Sequence, residues 1–427
     1  MKAPVAGEQS SQIITTAELF PDGAAIEQLR GNQLLLWQGG QQQVASTVEY
    51  CGRSYAPATL GPHLEQALRL PTNTEECGST DQLVADLRQE LTAVGLDKDA
   101  SLEVAIGIVA NWVAGSVPGP LVINFWGAAG SETALLDLMG CVCRRPLRLA
   151  QPPVHELAML PAGLAPTLIL NRPSERALAR LFATVSDPHT YLLSGGHVVH
   201  VNSPIVVSTS KPVLAIPALI VPLLPATQPQ RRITNSEAQS IANSFQGRLL
   251  RYRLTQHLKV ANSQFDVAGL CPDIRIVARV LGTAVDDSPG LQASMIDALR
   301  SFDEQYKAEQ WQAPAAAVLE TLLLLCHSKR PAAYVREITE VSNTLLENRG
   351  ESVELSPRAV GEILRQELGL VARRHTLGYE LGLDVDTQRR IHRHAVAGDV
   401  LQRIADCPRC QETVVAIPME NEATSGM

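Results

Sequence analysis

Leu121-Val122-Ile123-Asn124-Phe125-Trp126 is an apolar run that stops at Gly127, and Gly127-Ala128-Ala129-Gly130-Ser131 parts it from Thr133-Ala134-Leu135-Leu136. Thr133 opens an amphipathic stretch that Leu138 and Met139 continue. A buried strand, a turn of small residues and a helix, in that order, constrain this chain more than any other feature. They call for an α/β layer and match the order of a loop that wraps phosphates with its backbone N–H groups. A working loop of that kind needs G-x-x-x-x-G-K-[ST], in which Lys neutralises the β/γ-phosphates and the hydroxyl holds Mg²⁺. Here the stretch between Gly127 and Thr133 is one residue short, and Glu132 stands where Lys is required. An unpaired acid in that place would repel a triphosphate at close range. The residues a nucleotide would touch are Gly127, Gly130, Ser131 and Thr133. The same turn also suits an ordinary strand-to-helix connection in any α/β domain.

A chain of 427 residues exceeds one ordinary core, so two or three domains are expected. Its 45% apolar and 19% charged residues are those of a soluble globular protein rather than a disordered or fibrous one. A net charge of −8 argues against an all-over basic coat and leaves a local basic patch open. Met1-Lys2-Ala3-Pro4 is not followed by an apolar leader, and the eight cysteines are scattered. Reduced thiols and a cytoplasmic location are therefore expected. The longest apolar run, Pro204 to Ala226, carries Lys211 and is broken by Pro212, Pro217, Pro222 and Pro225. That is sheet and connection rather than a membrane span, and no membrane partner is expected.

Five segments follow from pattern. Residues 1–75 form a small β-containing module, with strands at Gln33–Gln38 and Ala45–Tyr50 and Gly39-Gly40 as a turn. Residues 76–230 begin with helices at Thr80–Val94 and Ser101–Ala114. They continue as an α/β core with strands at Leu121–Trp126, Pro166–Leu170, His197–Val201, Pro204–Ser208 and Ala218–Leu224. Residues 231–312 read as a helical lid. Residues 313–400 show three helices and a hairpin, the order of a winged helix-turn-helix, with Ser356 as N-cap and Pro357 at the first helical position. Residues 401–427 are a tail holding Cys407-Pro408-Arg409-Cys410, with Glu420 to Met427 expected to be disordered.

In that order the chain resembles the ATPase half of virus-type primase–helicase proteins, within the AAA+/RecA-like P-loop class, over roughly residues 100–400. The resemblance rests on the loop Gly127–Thr133, the strand Pro166–Leu170, the strand ending Ile205-Val206-Val207-Ser208-Thr209, the helical segment and the winged helix. It implies an acidic pair after the second core strand to bind Mg²⁺ and polarise water, but Asn171-Arg172 stands there. Glu175 lies one helical turn on, as a substitute in principle, and Ser208 and Thr209 match the polar tip of the family's sensor strand. A missing Lys and a missing acidic pair together point to a degenerate core with no catalytic residue.

The basic residues of the C-terminal part oppose the sign of the whole chain. Arg358 and Arg365, seven apart, share a face of the third helix; Arg373, Arg374 and His375 sit at the wing; Arg389, Arg390 and Arg393 follow. In a winged helix those places meet the major groove and flanking phosphates, while a solvated face for protein contact is the alternative. Arg231, Arg232, Arg248, Arg251 and Arg253 form a second basic stretch, facing phosphates, a neighbouring subunit or solvent. Cys407 and Cys410 are half of a zinc site, with His392 and His394 upstream as partners that point to different sides of a helix. His197 and His200, three apart in a strand, face opposite ways and make a poor metal pair, and Cys141 and Cys143 read as apolar packing.

The expectation is a non-catalytic P-loop ATPase-like protein that binds nucleic acid, DNA or RNA, or a replication or defence assembly, through its winged helix. No cofactor is required; ATP with Mg²⁺ at the loop and zinc at Cys407 and Cys410 are the candidates, and a homo-oligomer or larger assembly is compatible. The alternatives are an active ATP-dependent helicase or translocase with an atypical loop, and a protein-binding adaptor that never touches nucleic acid.

Overall fold

Leu34, Leu35, Leu36 and Trp37 are all buried, so the strand they form is covered on both faces. It belongs to the first of two units, 1–299 and 300–427, seen in a computed structural model. The described residues are 12–119, 121–151, 154–161, 163–185, 191–194, 197–200, 203–213, 217–223, 232–312, 314–351, 353–376, 378–397 and 407–415. Arg231, Gly195-Gly196, Val201 and the tail Glu420–Met427 lie outside them.

Seven short strands open the first unit: β1 (Ile13–Thr15), β2 (Ala17–Leu19), β3 (Ala25–Leu29), β4 (Gln33–Gln38), β5 (Gln41–Ala45), β6 (Val48–Tyr50) and β7 (Arg53–Pro57). β2 to β5 form an antiparallel meander, and β1, β7 and β6 form a second sheet. Gly39 and Gly40 have φ of 56° and 83°, the positive pair that a two-residue hairpin turn demands. The strand after that turn is Gln41–Ala45 rather than Ala45–Tyr50. Its first four residues are exposed, so an apolar pattern cannot reveal it.

Three helices follow: α1 (Pro62–Ala67), α2 (Thr80–Ala93) and α3 (Lys98–Trp112). Ser79 and Asp97 cap α2 and α3 by accepting from backbone N–H groups. α3 is buried on almost every side, and a Cβ at Gly107 would lie 3.0 Å from Ile123 Cδ1. Asn111 accepts from Arg144 N–H (2.7 Å) and donates to Thr167 Oγ1 (2.8 Å), fastening this helix to the residues ahead of the sheet-edge strand and to a core strand.

The core consists of β8 (Val122–Gly127), α4 (Thr133–Val142), β9 (Pro146–Leu149), α5 (Val154–Leu157), β10 (Thr167–Asn171), α6 (Glu175–Val185), β11 (Tyr191–Ser194), β12 (His197–His200), β13 (Ile205–Thr209) and β14 (Leu219–Leu223). Five of the strands make one parallel sheet in the order β14-β8-β13-β10-β9. The strand leading into the glycine loop is therefore interior, flanked by strands that come later in the chain. That is a topological switch point, where open α/β sheets place their sites. The architecture is consistent with a P-loop ATPase-like core.

Two sequence expectations change here. The segment from His197 is no core strand, because β12 pairs antiparallel with β11 in a separate hairpin. Pro146–Leu149, not foreseen, takes the sheet edge, so β10 is the third core strand in chain order rather than the second. A four-residue edge strand that begins with Pro and leaves Arg148 exposed carries little apolar pattern.

The helical segment expected after the core is α7 (Asn235–Asn262), α8 (Pro272–Ala284) and α9 (Pro289–Gln312). A capping box of Thr234 and Glu237 starts α7, which then drives buried Gln246 and Arg253 into the core. Arg253 meets the most concentrated charge in the unit. Glu27 on β3 is 1% exposed, and its carboxylate takes Arg144 Nη2 (2.7 Å), Arg145 Nη2 (2.8 Å) and Arg253 Nε (3.2 Å). The surplus positive charge falls on backbone carbonyls: Arg145 donates to Thr16, Gly163 and Leu164, and Arg253 to Trp112. Burial alone would raise the Glu27 carboxyl, but the three guanidiniums outweigh it and hold it at about 2. Burial, with repulsion from Arg144, draws Arg145 down to about 9 and Arg253 to about 10.

The second unit starts within α9 and holds α10 (Pro314–His327), β15 (Ala332–Tyr334), α11 (Val335–Asn348), α12 (Pro357–Gln366), β16 (Arg373–His375), β17 (Gly378–Gly382), α13 (Val385–Ala397) and α14 (Pro408–Val415). The strands form an antiparallel sheet β15-β17-β16. One core runs through it, from Leu322 and Leu323 across Ile338, Leu346, Val360 and Leu364 to Leu381 and Ile391. Asn343 clamps the turn into α12 by accepting from Leu355 N–H (2.8 Å) and donating to its carbonyl (3.0 Å). Ser356 then caps Ala359 N–H, with Pro357 at the first position, as the sequence requires. Among the described residues no helix is long and apolar enough to cross a membrane.

Glu27→Gln strands three buried guanidiniums and is expected to lower the unfolding free energy by about 3–5 kcal/mol. In the native chain the pairing stabilises fully above the ordinary carboxyl value of 4.5 and is lost as pH falls toward about 2. That is a loss of about 3 kcal/mol. Urea unfolding between pH 6 and pH 2 checks it, and the variant should lack this part of the acid dependence.

Candidate functional site

The glycine loop follows β8 at the carboxyl edge of the sheet, where the ends of β10 and β13 also lie. A Cβ at Gly127 would fall 2.6 Å from the Leu223 carbonyl of β14, so close approach of the neighbouring strand demands glycine there. Gly130 has φ 95° and open space around it, a turn requirement rather than a packing one. Ser131 is buried and its hydroxyl donates to the Ala128 carbonyl (2.7 Å), while half-buried Thr133 starts α4.

Glu132 does not face open space. It is 3% exposed, and Oε2 accepts the Gly130 N–H (2.9 Å), one of the donors a phosphate would take. Its other oxygen takes Arg172 Nε (3.1 Å), and Arg172 Nη2 donates to the Gly127 carbonyl (2.7 Å). Arg172 reaches the loop from the residue just past β10, in the left-handed region at φ 49°. Its N–H is held by Ser208 Oγ (3.2 Å), and Ser208 in turn donates to Asn171 Oδ1 (2.7 Å). An internal carboxylate thus takes a backbone donor of the loop, and the guanidinium beside it comes from the residue just past β10.

The expectation that Glu132 would confront a bound phosphate is corrected: the acid is paired and built into the loop. Glu175 is exposed at the start of α6. Thr209 Oγ1 accepts from Asn124 Nδ2 (2.8 Å), so the polar tip of β13 is consumed within the sheet. The cavity beside Ser131, lined by Leu96, Asp97, Leu135, Pro222 and Leu223, measures about 180 Å³. Pockets that take a small molecule measure roughly 300–1,000 Å³.

The second basic stretch is also corrected. Arg253 is buried against Glu27, and Arg248 pairs with Asp86 (2.8 Å). Arg251 pairs with Glu76 (3.0 Å) and lies 4.2 Å over the Trp37 ring. These side chains fasten α7 to its neighbours. Arg232 is exposed.

In the second unit the basic residues behave differently. Arg358 and Arg365 are exposed on α12, but Arg358 is paired with Glu362 (3.3 Å). Arg373, Arg374 and His375 are exposed on the edge strand β16, with Arg374 directly opposite exposed Tyr379. Arg389, Arg390 and Arg393 are exposed along α13, and Arg389 lies 3.6 Å from Asp386. Among the described residues Arg365, Arg373 and Arg374 have no acidic partner within salt-bridge distance.

Cys407 and Cys410 do not gather both upstream histidines. His392 is buried beside them, whereas His394 is half exposed and stands apart. The fourth member is His327 at the end of α10, which sequence spacing missed because it lies so far upstream. Cys141 and Cys143 are buried as foreseen, with burial pushing both thiols up.

No family model and no curated protein matches this chain. Several solved structures are similar in part. The apo C-terminal region of NrS-1 shares 11% identity at a TM-score of 0.34, covering 86% of this chain and 99% of that one. A full-length MCM homolog from Methanopyrus kandleri shares 10% at 0.32, covering 65% and 75%. Drosophila ORC bound to DNA shares 12% at 0.17, covering 76% and 95%. The fold assignment rests on the strand order, not on these likenesses.

Glu132→Lys sets two cations against each other in a largely buried loop and is expected to cost about 1–3 kcal/mol of stability. Adding Arg172→Glu should recover more than half of that loss. A denaturant double-mutant cycle reads the coupling, and additive losses would mean that the pair does not hold the loop.

Proposed function

We propose that the chain is a non-catalytic, P-loop ATPase-like protein that binds nucleic acid through its second unit, a winged helix. The observation that carries this reading is the set of exposed arginines on α12 and on the edge strand of the second unit. In the first unit Arg144, Arg145, Arg172, Arg248, Arg251 and Arg253 are paired with acids, while Arg53, Arg176, Arg180 and Arg279 are exposed. In the second unit Arg365 on α12 and Arg373 and Arg374 on the edge strand stay exposed with no acidic partner among the described residues.

The order helix, strand, helix, helix and two-stranded hairpin supports the winged-helix assignment, with α12 as recognition helix and the β16–β17 hairpin as wing. Arginines at those places supply the phosphate contacts that position such a unit on a duplex. Arg358 is the least suited of the group, because Glu362 offsets its charge. Catalysis is no part of the proposal: the loop lacks its Lys, β10 ends in Asn171 rather than an acid, and the anion position is filled from within. The role that remains for the α/β core is that of a scaffold in a replication or defence assembly.

A second reading, a protein-binding adaptor, is favoured by Val371, Tyr379 and Val385, which leave apolar surface exposed around the hairpin. Fluorescence anisotropy of the full chain with labelled duplex DNA, single-stranded DNA and RNA separates the two. Four phosphate contacts predict a weakening on the order of 100-fold between 50 and 200 mM salt. The combined variant Arg365→Ala, Arg373→Ala, Arg374→Ala and Arg390→Ala should lose about tenfold or more in affinity at the lower salt. Arg358→Ala should change it much less. Absence of salt-sensitive binding would give the adaptor reading first place.

A further inference from the structure

We propose that His327, His392, Cys407 and Cys410 form a structural zinc site that ties the C-terminal helix α14 to α10 and α13. Their four ligand atoms all lie within 4.8 Å of one another. His327 Nε2 is 3.3 Å from Cys410 Sγ, and His392 Nε2 is 3.4 Å from Cys407 Sγ. Tetrahedral zinc with bonds of about 2.0 Å to nitrogen and 2.3 Å to sulfur sets its ligands roughly 3.3–3.8 Å apart. Both thiol–imidazole pairs fall in that range, and the remaining ligand atoms stand within 4.8 Å of one another.

The surroundings are those of a metal centre rather than of four stray side chains. His392 Nδ1 lies 2.8 Å from the Gln388 carbonyl, and only a protonated Nδ1 can donate to it. That tautomer turns the Nε2 lone pair toward Cys407 Sγ, the arrangement in which an outer partner orients a ligating imidazole. His327 also turns Nε2 inward, while its buried Nδ1 has no partner among the described residues. Cys407 is the residue before α14 and Cys410 lies in its first turn. Two sulfurs and two imidazoles select a borderline-soft divalent ion, and magnesium or calcium, which take oxygen ligands, do not fit.

The ligands come from three places far apart in the chain: the end of α10, the middle of α13 and the start of α14. Zinc would therefore close two long loops and fix α14 onto the helices, so its binding energy becomes folding energy of the second unit. The site uses none of the exposed arginines, so it stands whether or not the unit binds nucleic acid.

The test is metal analysis of the full chain purified under reducing conditions, followed by Co²⁺ titration after zinc removal. One zinc per chain is expected, with Co²⁺ giving the absorption of a tetrahedral thiolate centre. Cys407→Ser with Cys410→Ser, and separately His327→Asn, should cut bound zinc to about one tenth or less, while His394→Asn keeps it. A saturating Co²⁺ titration without thiolate-to-metal absorption would overturn the proposal, leaving two thiol–imidazole hydrogen bonds. Zinc retained in the double cysteine variant would overturn it too. If that variant does not fold, the Co²⁺ spectrum of the native sequence decides alone.

Discussion

One buried carboxylate, Glu27, organises the first unit. Burying a charge is costly unless it is paired, and here one acid from β3 takes two guanidiniums from the segment between α4 and β9 and a third from the middle of α7. Sheet, core and long helix must therefore reach their places together, since any one of them missing would strand the others' charges in a low-dielectric interior. The carbonyls of Thr16, Gly163, Leu164 and Trp112 complete the arrangement by facing the excess positive charge. Other arrangements of the N-terminal strands would leave these groups unsatisfied, which is a form of specificity that apolar packing alone does not supply.

The same economy of charge explains the glycine loop. Glu132 takes the Gly130 N–H of the loop, and Arg172 neutralises it from the strand end. The two residues that depart from a working ATPase are thus one interaction, a complementary exchange of signs across the loop. The loop keeps its shape because it serves packing: Gly127 admits β14, and the helix that follows buries Leu135, Leu136, Leu138 and Met139.

Much of this was legible in the sequence, for identifiable reasons. The strand, loop and helix from Leu121 to Val142, the N-cap Ser356 and the Gly39-Gly40 turn are set by local chemistry, and they appear where local chemistry puts them. Both departures at Glu132 and Arg172 were visible as residues, but their pairing was not, because it joins positions forty apart through the strand order. Arg248, Arg251 and Arg253 read as a basic surface because charge on a long helix usually is one; burial reversed that, and burial is not local. His327 escaped for the same reason: Cys-x-x-Cys advertised half a site, and the other half depended on where α10 ends. Edge strand β9 carries too few apolar residues to announce itself.

On this reading the glycine loop holds Glu132 in place of a nucleotide, and nucleic-acid binding proceeds without one. Calorimetric titration of Mg·ATP into the full chain, repeated with nucleic acid present, tests it most directly. No saturable heat into the millimolar range is expected, with a nucleic-acid affinity that Mg·ATP leaves unchanged. Saturable binding in the micromolar range, or an affinity for nucleic acid that shifts with Mg·ATP, would contradict it.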